Sequence, residues 1–300
     1  MGFISELFGY VLNALYNLIS NYGIAIIIFS VLLRLILIPI TIKQQKTMKK
    51  SNEMQQEMKN IQAKYKNNPE KLNQETIDLY KREGLSPFSG CFTAILQLLI
   101  ILSVFWLVSQ PLTYMKKVQN SEIYNEYKTI IENQTTKSSY KEIAIINKVE
   151  EDYQEITEKL KDENIENREE LENKKSQLEE LRLNMEFLGL DLSKVPTQSL
   201  NDWKVYIIPV LYVITSFISI RITTKTQTSK NKDGEKSEEL ESMEQMNKSM
   251  SYMMPIMSIS IAVIAPLGLA LYWLVSNILM IIERLIINKF MSSKEEEENA

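Results

Sequence analysis

Almost uninterrupted apolar stretches alternate with strongly charged stretches along the 300 residues of the chain. The first apolar stretch, residues 24–42, is long enough as a helix to cross a hydrocarbon layer about 30 Å thick, at ~1.5 Å per residue. We predict membrane spans at 23–42, 89–110 and 205–222, and a fourth and a fifth inside 252–290. The pattern therefore predicts an all-α polytopic membrane protein with five transmembrane helices.

The polar segments between and around these spans predict water-facing elements. We interpret them as an amphipathic interfacial helix (1–22), a cytoplasmic helical hairpin (43–88), an extracellular charged helical insertion (111–204), a cytoplasmic loop (223–251) and an acidic cytoplasmic tail (291–300). In the hairpin, Pro69 suits the first position of a second helix, and Gly84 suits the end of that helix. The two arms are therefore expected to be antiparallel helices joined by a short turn.

The charged insertion contains long Glu- and Lys-rich stretches with few aromatic residues. Its apolar positions form a broken seam typical of paired helices; they are Ile156, Leu160, Leu171, Leu178, Leu181 and Met185. We predict an inserted helical hairpin with a coiled-coil-like seam. A partly disordered acidic loop is the alternative that the composition leaves open.

The orientation in the membrane is predicted from basic residues. Four lysines directly follow the first span, namely Lys43, Lys46, Lys49 and Lys50. By the positive-inside rule this end of the span faces the cytoplasm, and the N-terminus lies outside. Five crossings then bring the C-terminus into the cytoplasm.

Arg34 is the one charged residue inside the first apolar stretch. A guanidinium at such a depth costs ~2.5–3.5 kcal/mol on insertion scales unless it meets a partner or a polar cavity. Ser30, four residues earlier, lies on the same helical face. Gln97 in the second span is either a residue that hydrogen-bonds to a neighbouring helix or a further polar group of the same surroundings, and the third span contains Ser219. We therefore predict a hydrophilic pocket around Arg34.

The composition excludes several kinds of chemistry. The chain has no histidine and a single cysteine, Cys91, so it offers no intramolecular disulfide, no His-based metal site and no Cys–His pair. It also lacks a phosphate-binding glycine loop. We expect no catalytic residues, no metal and no cofactor, and the formal charge of −4 says less than the distribution of charge along the chain.

Taken in order, four motifs resemble the YidC/Oxa/Alb family of membrane protein insertases. They are VLLRLILIPIT around Arg34, the charged hairpin that ends in YKREGLSPFSGC, the third-span opening YIIPVL, and MMPIM followed by APLGLALYWLVSN. The resemblance covers most of the chain outside residues 116–184. It is their common order and spacing that make these motifs specific.

The resemblance implies an insertase of the bacterial cell membrane that passes short hydrophobic segments of newly made proteins into the bilayer without nucleotide hydrolysis. Arg34 and Ser30 would lie in a groove open to the cytoplasm and to lipid. Tyr272 and Trp273 of the last span would contact the passing segment. The implied partners are nascent membrane proteins, lipids, the ribosome and a secretion channel, with no sequence-specific nucleic acid.

Two other classes of function fit the residues. The first is an anion channel or transporter with Arg34 in its anion site, although such proteins usually show internal repeats and the chain shows none. The second is a membrane scaffold that presents the extracellular insertion to a partner. An insertase needs Arg34 and can lose residues 116–184, whereas a scaffold has the opposite requirements.

Overall fold

The computed structural model describes residues 2–84, 89–133, 140–162, 165–228 and 260–298, and these residues are mostly helical. The helices are α1 (Gly2–Ile19), α2 (Tyr22–Tyr65), α3 (Pro69–Arg82), α4 (Ser89–Ser109), α5 (Glu122–Glu132), α6 (Lys141–Lys159), α7 (Arg168–Leu181), α8 (Ile207–Thr228) and α9 (Leu267–Glu298). A π-helical turn covers Leu112–Lys116, and 3₁₀ turns cover Pro196–Gln198 and Trp203–Tyr206. Strands β1 (Glu186–Phe187) and β2 (Leu190–Asp191) form a hairpin that the all-α prediction lacked.

Three described helical stretches are long and apolar enough to cross a membrane: Tyr22–Thr47, Trp203–Ile222 and Leu267–Ile287. Ile95–Ser109 is a shorter apolar helix at the place of the predicted second span. Of the predicted fourth span, residues 252–259 lie outside the described residues, and residues 260–264 are helical. The structure therefore supports a multi-span protein, and the count of five spans stays a prediction.

The chain divides into two compact units. The first unit comprises Met1–Leu32, Ile100–Ile214 and Ser258–Asn277, and the second comprises Leu33–Leu99, Thr215–Met257 and Ile278–Ala300. The whole charged insertion belongs to the first unit. Arg34 and both arms of the α2–α3 hairpin belong to the second.

In the first unit, the π-helical turn after α4 is fixed by the buried carboxylate of Glu142 on α6. Glu142 Oε2 accepts hydrogen bonds from the backbone N–H groups of Leu112 (2.7 Å) and Thr113 (3.0 Å). Oε1 accepts from the Thr113 hydroxyl and from the Tyr124 hydroxyl. The N–H groups of a first helical turn have no acceptor inside their own helix. The Glu142 carboxylate supplies that acceptor for two of them. The contact joins the π-helical turn to α5 and α6.

Lys116 at the other end of the same turn caps α7. Its ammonium donates to the carbonyl oxygens of Glu180 (2.6 Å) and Arg182 (2.9 Å), at the C-terminal end of that helix. A cation is favourable there because the carbonyls carry the negative end of the helix dipole. Burial lowers the pKa of Lys116 to about 8. The five-residue turn thus contacts α6 at one end and the C-terminal end of α7 at the other.

Helix α1 packs directly on this turn through Gly9. A Cβ placed on Gly9 would lie 1.9 Å from the carbonyl oxygen of Tyr114, so only glycine allows this approach. Nearby, the buried Ser5 hydroxyl donates to the Ser103 carbonyl of α4 at 3.1 Å. These contacts bury one face of α1, while Phe3, Leu7, Tyr10, Val11 and Leu18 are exposed. The placement of α1 in the membrane interface stays a prediction.

The charged insertion is a three-helix arrangement, and the prediction of a single helical hairpin is wrong in this respect. Helix α5 packs against both α6 and α7, which also pack against each other. Of the six residues of the predicted seam, Ile156, Leu178, Leu181 and Met185 are buried, and Leu160 and Leu171 are half-buried. The sequence pattern showed the α6–α7 contact, whereas α5 brings Tyr124, Tyr127 and Ile131 into the same core.

The connection from Leu183 to Lys194 caps the start of two candidate spans. The Asn184 carbonyl accepts from Tyr22 N–H at 3.0 Å, at the start of α2. The Leu192 and Lys194 carbonyls accept from Gly268 and Leu267 at 2.9 Å, at the start of α9. Strand β2 also contacts the 3₁₀ turn that opens the third span. The three candidate spans therefore begin at the same end of the first unit.

In the second unit, α2 continues past its apolar stretch to Tyr65 and turns back into α3. Asn68 caps α3 by accepting from Lys71 N–H at 3.1 Å, Pro69 is its first residue, and Gly84 follows it with φ +63°. The arms meet through polar contacts, including ion pairs of Arg82 with Glu57 and of Lys50 with Glu83. Pro69 and Gly84 therefore have the roles expected from the sequence.

We predict that Gly9→Ala destabilises the protein by about 1–3 kcal/mol or more, because the new methyl group overlaps the Tyr114 carbonyl. Thermal unfolding in detergent measures the effect. Gly2→Ala is the matched control, since no atom lies within 4 Å of its Cβ position. Helix propensity alone favours alanine by ~1 kcal/mol, so a more stable Gly9→Ala protein would contradict the packing argument.

A second prediction concerns Glu142, whose pKa is raised above its usual 4.5 by burial, against the opposing hydrogen bonds from Thr113 and Leu112. Because the folded state favours the protonated form, Glu142 contributes to the free energy of unfolding at low pH. This contribution is fully present below pH 4.5 and is lost as the pH rises through the raised pKa. Glu142→Gln should remove this loss, so the stability difference between variant and wild type should change with pH. Thermal unfolding between about pH 4 and pH 8 measures it.

Glu142→Ala is the companion variant. It leaves the N–H groups of Leu112 and Thr113 without their acceptor, at a cost of ~1–3 kcal/mol for each buried group. It should therefore be less stable than Glu142→Gln at every pH. Equal stability of the two variants would show that the carboxylate does not hold the turn.

Candidate functional site

Arg34 lies about midway along the apolar stretch of α2, and its partner is a carboxylate on another candidate span. Arg34 Nη1 donates to Glu283 Oε2 of α9 at 3.5 Å. The two side chains are only 18% and 10% exposed, and both belong to the second unit. A buried ion pair offsets the cost of a lone guanidinium in an apolar span. The predicted polar surroundings of Arg34 thus include a charged group of the chain itself.

Arg284, the residue after Glu283, interacts electrostatically with both members of this pair. The three side chains form a cluster of two positive charges and one negative charge, which we call the arginine–glutamate cluster. The second carboxylate oxygen, Glu283 Oε1, is buried and has no hydrogen-bond partner among the described residues. Among the described residues, hydrogen bonds therefore hold the Glu283 carboxylate through only one of its two oxygens.

The pair's geometry indicates a weak contact. Strong charge-assisted N–H···O bonds measure about 2.7–2.9 Å, and those of arginine are often bidentate. The Arg34–Glu283 contact is longer, and it is made by one nitrogen to one oxygen. By comparison, Arg182 and Glu150 in the first unit form two bonds at 2.8 and 3.1 Å.

Ser30 was expected to share the polar environment of Arg34. The structure places it in the first unit, 1% exposed, with its hydroxyl donating to the Ile26 carbonyl at 2.7 Å. This hydroxyl is engaged one turn back within its own helix, as serines in apolar helices often are. The Ser30 hydroxyl is therefore not accessible to a bound molecule.

Gln97 and Ser219 belong to the second unit together with Arg34. Gln97 is exposed on α4, whereas Ser219 on α8 is buried at 8% exposure. Ser216, one turn earlier on α8, is also buried. Of these three polar residues, Gln97 is therefore the one that a bound molecule reaches without rearrangement.

Tyr272 and Trp273 belong to the first unit and differ in exposure. Tyr272 is buried, whereas Trp273 is half-buried and lies 6.2 Å, centroid to centroid, from the ring of Tyr212 on α8. The aromatic rings of Trp273 and Tyr212 stand at 37° to each other. Trp273 is therefore the more accessible residue of the predicted pair.

Sequence reasoning missed the pairing of Glu283 with Arg34. One signal was available, because Glu283 is the one acidic residue within 267–287 and Arg34 the one basic residue within 24–42. Matching single opposite charges across spans would have suggested the contact. Spacing along one helix could not, since the two residues are far apart in the chain.

The first unit also contains a cavity of about 410 Å³ beside the β1–β2 hairpin. Most of its charged lining groups are already paired, as in Arg182 with Glu150 and Lys194 with Asp202. Within the described part of the chain, no group of three or more potential metal ligands is present. The arginine–glutamate cluster therefore stays the leading candidate site.

Long apolar helices, a charged cluster buried on two of them and a polar helical insertion define a multi-pass α-helical membrane protein. The family described as 60Kd inner membrane protein matches residues 14–295 of the chain. The chain therefore belongs to this family, which is the YidC/Oxa/Alb family of membrane protein insertases.

Curated relatives carry the same family name. Membrane protein insertase YidC of Treponema denticola is 26% identical over 283 residues, covering 94% of this chain and 37% of the relative. YidC of Caldanaerobacter subterraneus is 38% identical over 105 residues, covering 35% of the chain and 51% of the relative. YidC 2 of Listeria innocua is 25% identical, covering 93% and 68%. The first two alignments thus span about a third to a half of those relatives.

We predict energetic coupling between Arg34 and Glu283. Arg34→Gln removes the cation that Glu283 contacts, and Glu283→Gln removes the carboxylate that Arg34 contacts, so each should destabilise the protein, and the double variant should be less destabilised than the sum. The expected coupling is ~0.5–3 kcal/mol, measured by thermal unfolding of all four proteins in detergent. Arg221→Gln, at an exposed arginine of α8, is the control. Strict additivity would contradict the pairing.

Proposed function

We propose that this chain is a membrane protein insertase that passes short hydrophobic segments of newly made proteins into the bilayer. The observation that carries the proposal is the arginine–glutamate cluster on two candidate spans, in a chain that belongs to the insertase family. Its proposed partners are nascent membrane proteins and lipids, with the ribosome and a secretion channel as further partners. Its proposed location is the bacterial cell membrane.

The cluster receives the polar tail of a substrate by exchange of carboxylates. An acidic side chain of the substrate replaces Glu283 at Arg34, and Glu283 moves toward Arg284. Three features support this step: the long single bond of the Arg34–Glu283 pair, the nearby positive charge of Arg284, and Glu283 Oε1, which has no hydrogen-bond partner in the described part of the chain. After the exchange, the substrate carboxylate faces Arg34 and Glu283 faces Arg284, so each buried carboxylate still has a cation beside it.

The apolar part of the substrate supplies the driving force. Each Leu, Ile, Phe or Val at the centre of a membrane helix contributes about 0.3–0.6 kcal/mol on insertion scales, so a whole span gains several kcal/mol. The proposed mechanism therefore needs no nucleotide. Trp273, half-buried beside Tyr212, offers an aromatic surface for that segment, as the family resemblance implies for this position.

The proposed orientation has the N-terminus outside and the C-terminus in the cytoplasm. The lysines after the first span support it through the positive-inside rule. The common end at which the three candidate spans begin supports their parallel direction. In this orientation the α2–α3 hairpin faces the cytoplasm, and the three-helix insertion lies outside.

We predict opposite effects of the two cluster residues on substrates with acidic tails. In sealed proteoliposomes without nucleotide, Arg34→Ala should lower insertion of a single-span substrate with an acidic N-terminal tail by tenfold or more, because the tail loses its cation. Arg34→Lys should retain part of the activity. Glu283→Gln should equal or exceed wild type, because the competing carboxylate is gone. The readout is protease protection of the tail.

The same substrate with a neutral tail is the control, and it should depend little on either residue. Equal insertion of the acidic substrate by wild type and Arg34→Ala would refute the role of the cluster. If insertion requires nucleotide, the proposed driving force is wrong. If no substrate inserts while the vesicles conduct anions, the channel alternative is supported instead.

Photo-crosslinking provides a test of passage. A crosslinker at Gln97, exposed in the unit that contains Arg34, is challenged with ribosome-bound nascent chains of increasing length. The crosslink should move along the substrate as the chain lengthens. The matched position is Ile214, an exposed residue of α8 in the other unit. No substrate crosslink at Gln97 at any length would contradict passage near this site.

A further inference from the structure

The β1–β2 hairpin has a two-residue turn whose sequence is unusual for its conformation. Glu186 pairs with Asp191 and Phe187 with Leu190, which leaves Leu188 and Gly189 as the turn. Both have positive φ, +52° and +75°. Such turns favour Asn-Gly, because asparagine tolerates the left-handed region and leucine does not. Leu188 therefore occupies a position where asparagine would be better for local structure.

No packing contact in the described part of the chain compensates for this choice. Leu188 is 86% exposed, more than any other large apolar side chain among the described residues. A leucine that is both strained and exposed adds no packing to the fold. The environment outside the hairpin tip must therefore explain why a leucine occupies position 188.

The hairpin is fixed at the corner where α2 begins. Asn21 Nδ2 donates to the Glu186 carbonyl at 2.7 Å, and Tyr22 N–H donates to the Asn184 carbonyl at 3.0 Å. The Phe187 ring covers Gly23 so closely that a Cβ there would lie 2.6 Å from Phe187 Cγ. The tip of the hairpin thus lies beside the first turn of a candidate membrane span.

Other exposed apolar side chains lie at comparable places in the same unit. Leu18 is 83% exposed in the last turn of α1, just before that span, and Trp203 is 71% exposed at the start of the third span. Strand β2 contacts the turn that contains Trp203. Large apolar residues at span ends are typical of the membrane–water interface, where they contact lipid.

We propose that Leu188 inserts into the lipid at the membrane surface where the candidate spans begin, so that the hairpin anchors the three-helix insertion to the bilayer. The partner is the lipid surface itself. The inference follows from the position of the hairpin at the start of the first span and does not rest on the insertase activity.

The first experiment places an environment-sensitive fluorophore at position 188. Leu188→Cys is made in a Cys91→Ser background, labelled and reconstituted as the full chain in phosphatidylethanolamine–phosphatidylglycerol vesicles. Emission should shift to the blue and be quenched by brominated lipid. The control is Glu158→Cys near the end of α6, about 24 Å along that helix from Glu142. Its label should report water.

Two outcomes would overturn the proposal. A label at 188 that reports water as the control does would place the hairpin tip in solvent. A label that is shifted to the blue but unaffected by brominated lipid would place the tip against protein, for instance a second copy of the chain.

The second experiment separates anchoring from folding by means of Leu188→Asn. Asparagine suits the turn, so thermal stability in detergent should be equal or higher. In vesicles, the variant should show at least tenfold faster amide exchange in residues 184–192, because the lipid contact is lost. Leu188→Phe should behave as wild type in vesicles. If Leu188→Asn is instead destabilised in detergent, Leu188 serves the fold and the proposal fails.

Discussion

The first unit depends on the segment Leu183–Lys194, whose carbonyl groups accept hydrogen bonds from the first N–H groups of two candidate spans. The opening N–H groups of a helix have no partner within it, and near hydrocarbon they cannot rely on water. By supplying acceptors to Tyr22, Leu267 and Gly268, one connection fixes where α2 and α9 begin. The charged insertion is therefore built into the membrane part of the unit and does not hang from it as a separate appendage.

In the second unit, a charged side chain inside an apolar span is likewise stabilised by a group of the protein rather than by water. Arg34 lies where ionised groups are costly, and the unit matches it with Glu283 while keeping Arg284 within electrostatic reach. The Arg34–Glu283 pair is made by a single long contact, and a tight bidentate pair would cost more to open.

Much of this fold follows from local sequence signals. The apolar stretches, Pro69 and Gly84 at the ends of α3, and the seam of Ile156 and Leu178 act over a few helical turns. The pairing of Arg34 with Glu283, the addition of α5 to the insertion and the cap of Glu142 on the π-helical turn depend on contacts between distant segments. Ser30 shows that a shared helical face does not establish a shared site. Its spacing from Arg34 did not reveal that its hydroxyl donates to the Ile26 carbonyl of the same helix.

The hydrogen bond between Tyr22 and Asn184 also sets a timetable for synthesis. The acceptor is made about 160 residues after the donor. At ~5–20 residues per second, translation needs roughly 8–32 s to supply it. Throughout that interval the Tyr22 N–H group at the start of the first span lacks the carbonyl that finally accepts its hydrogen bond. The packing of Gly9 against the Tyr114 carbonyl is likewise delayed for most of the same period. The early helices of this chain must therefore tolerate an incomplete membrane structure while the ribosome is still working.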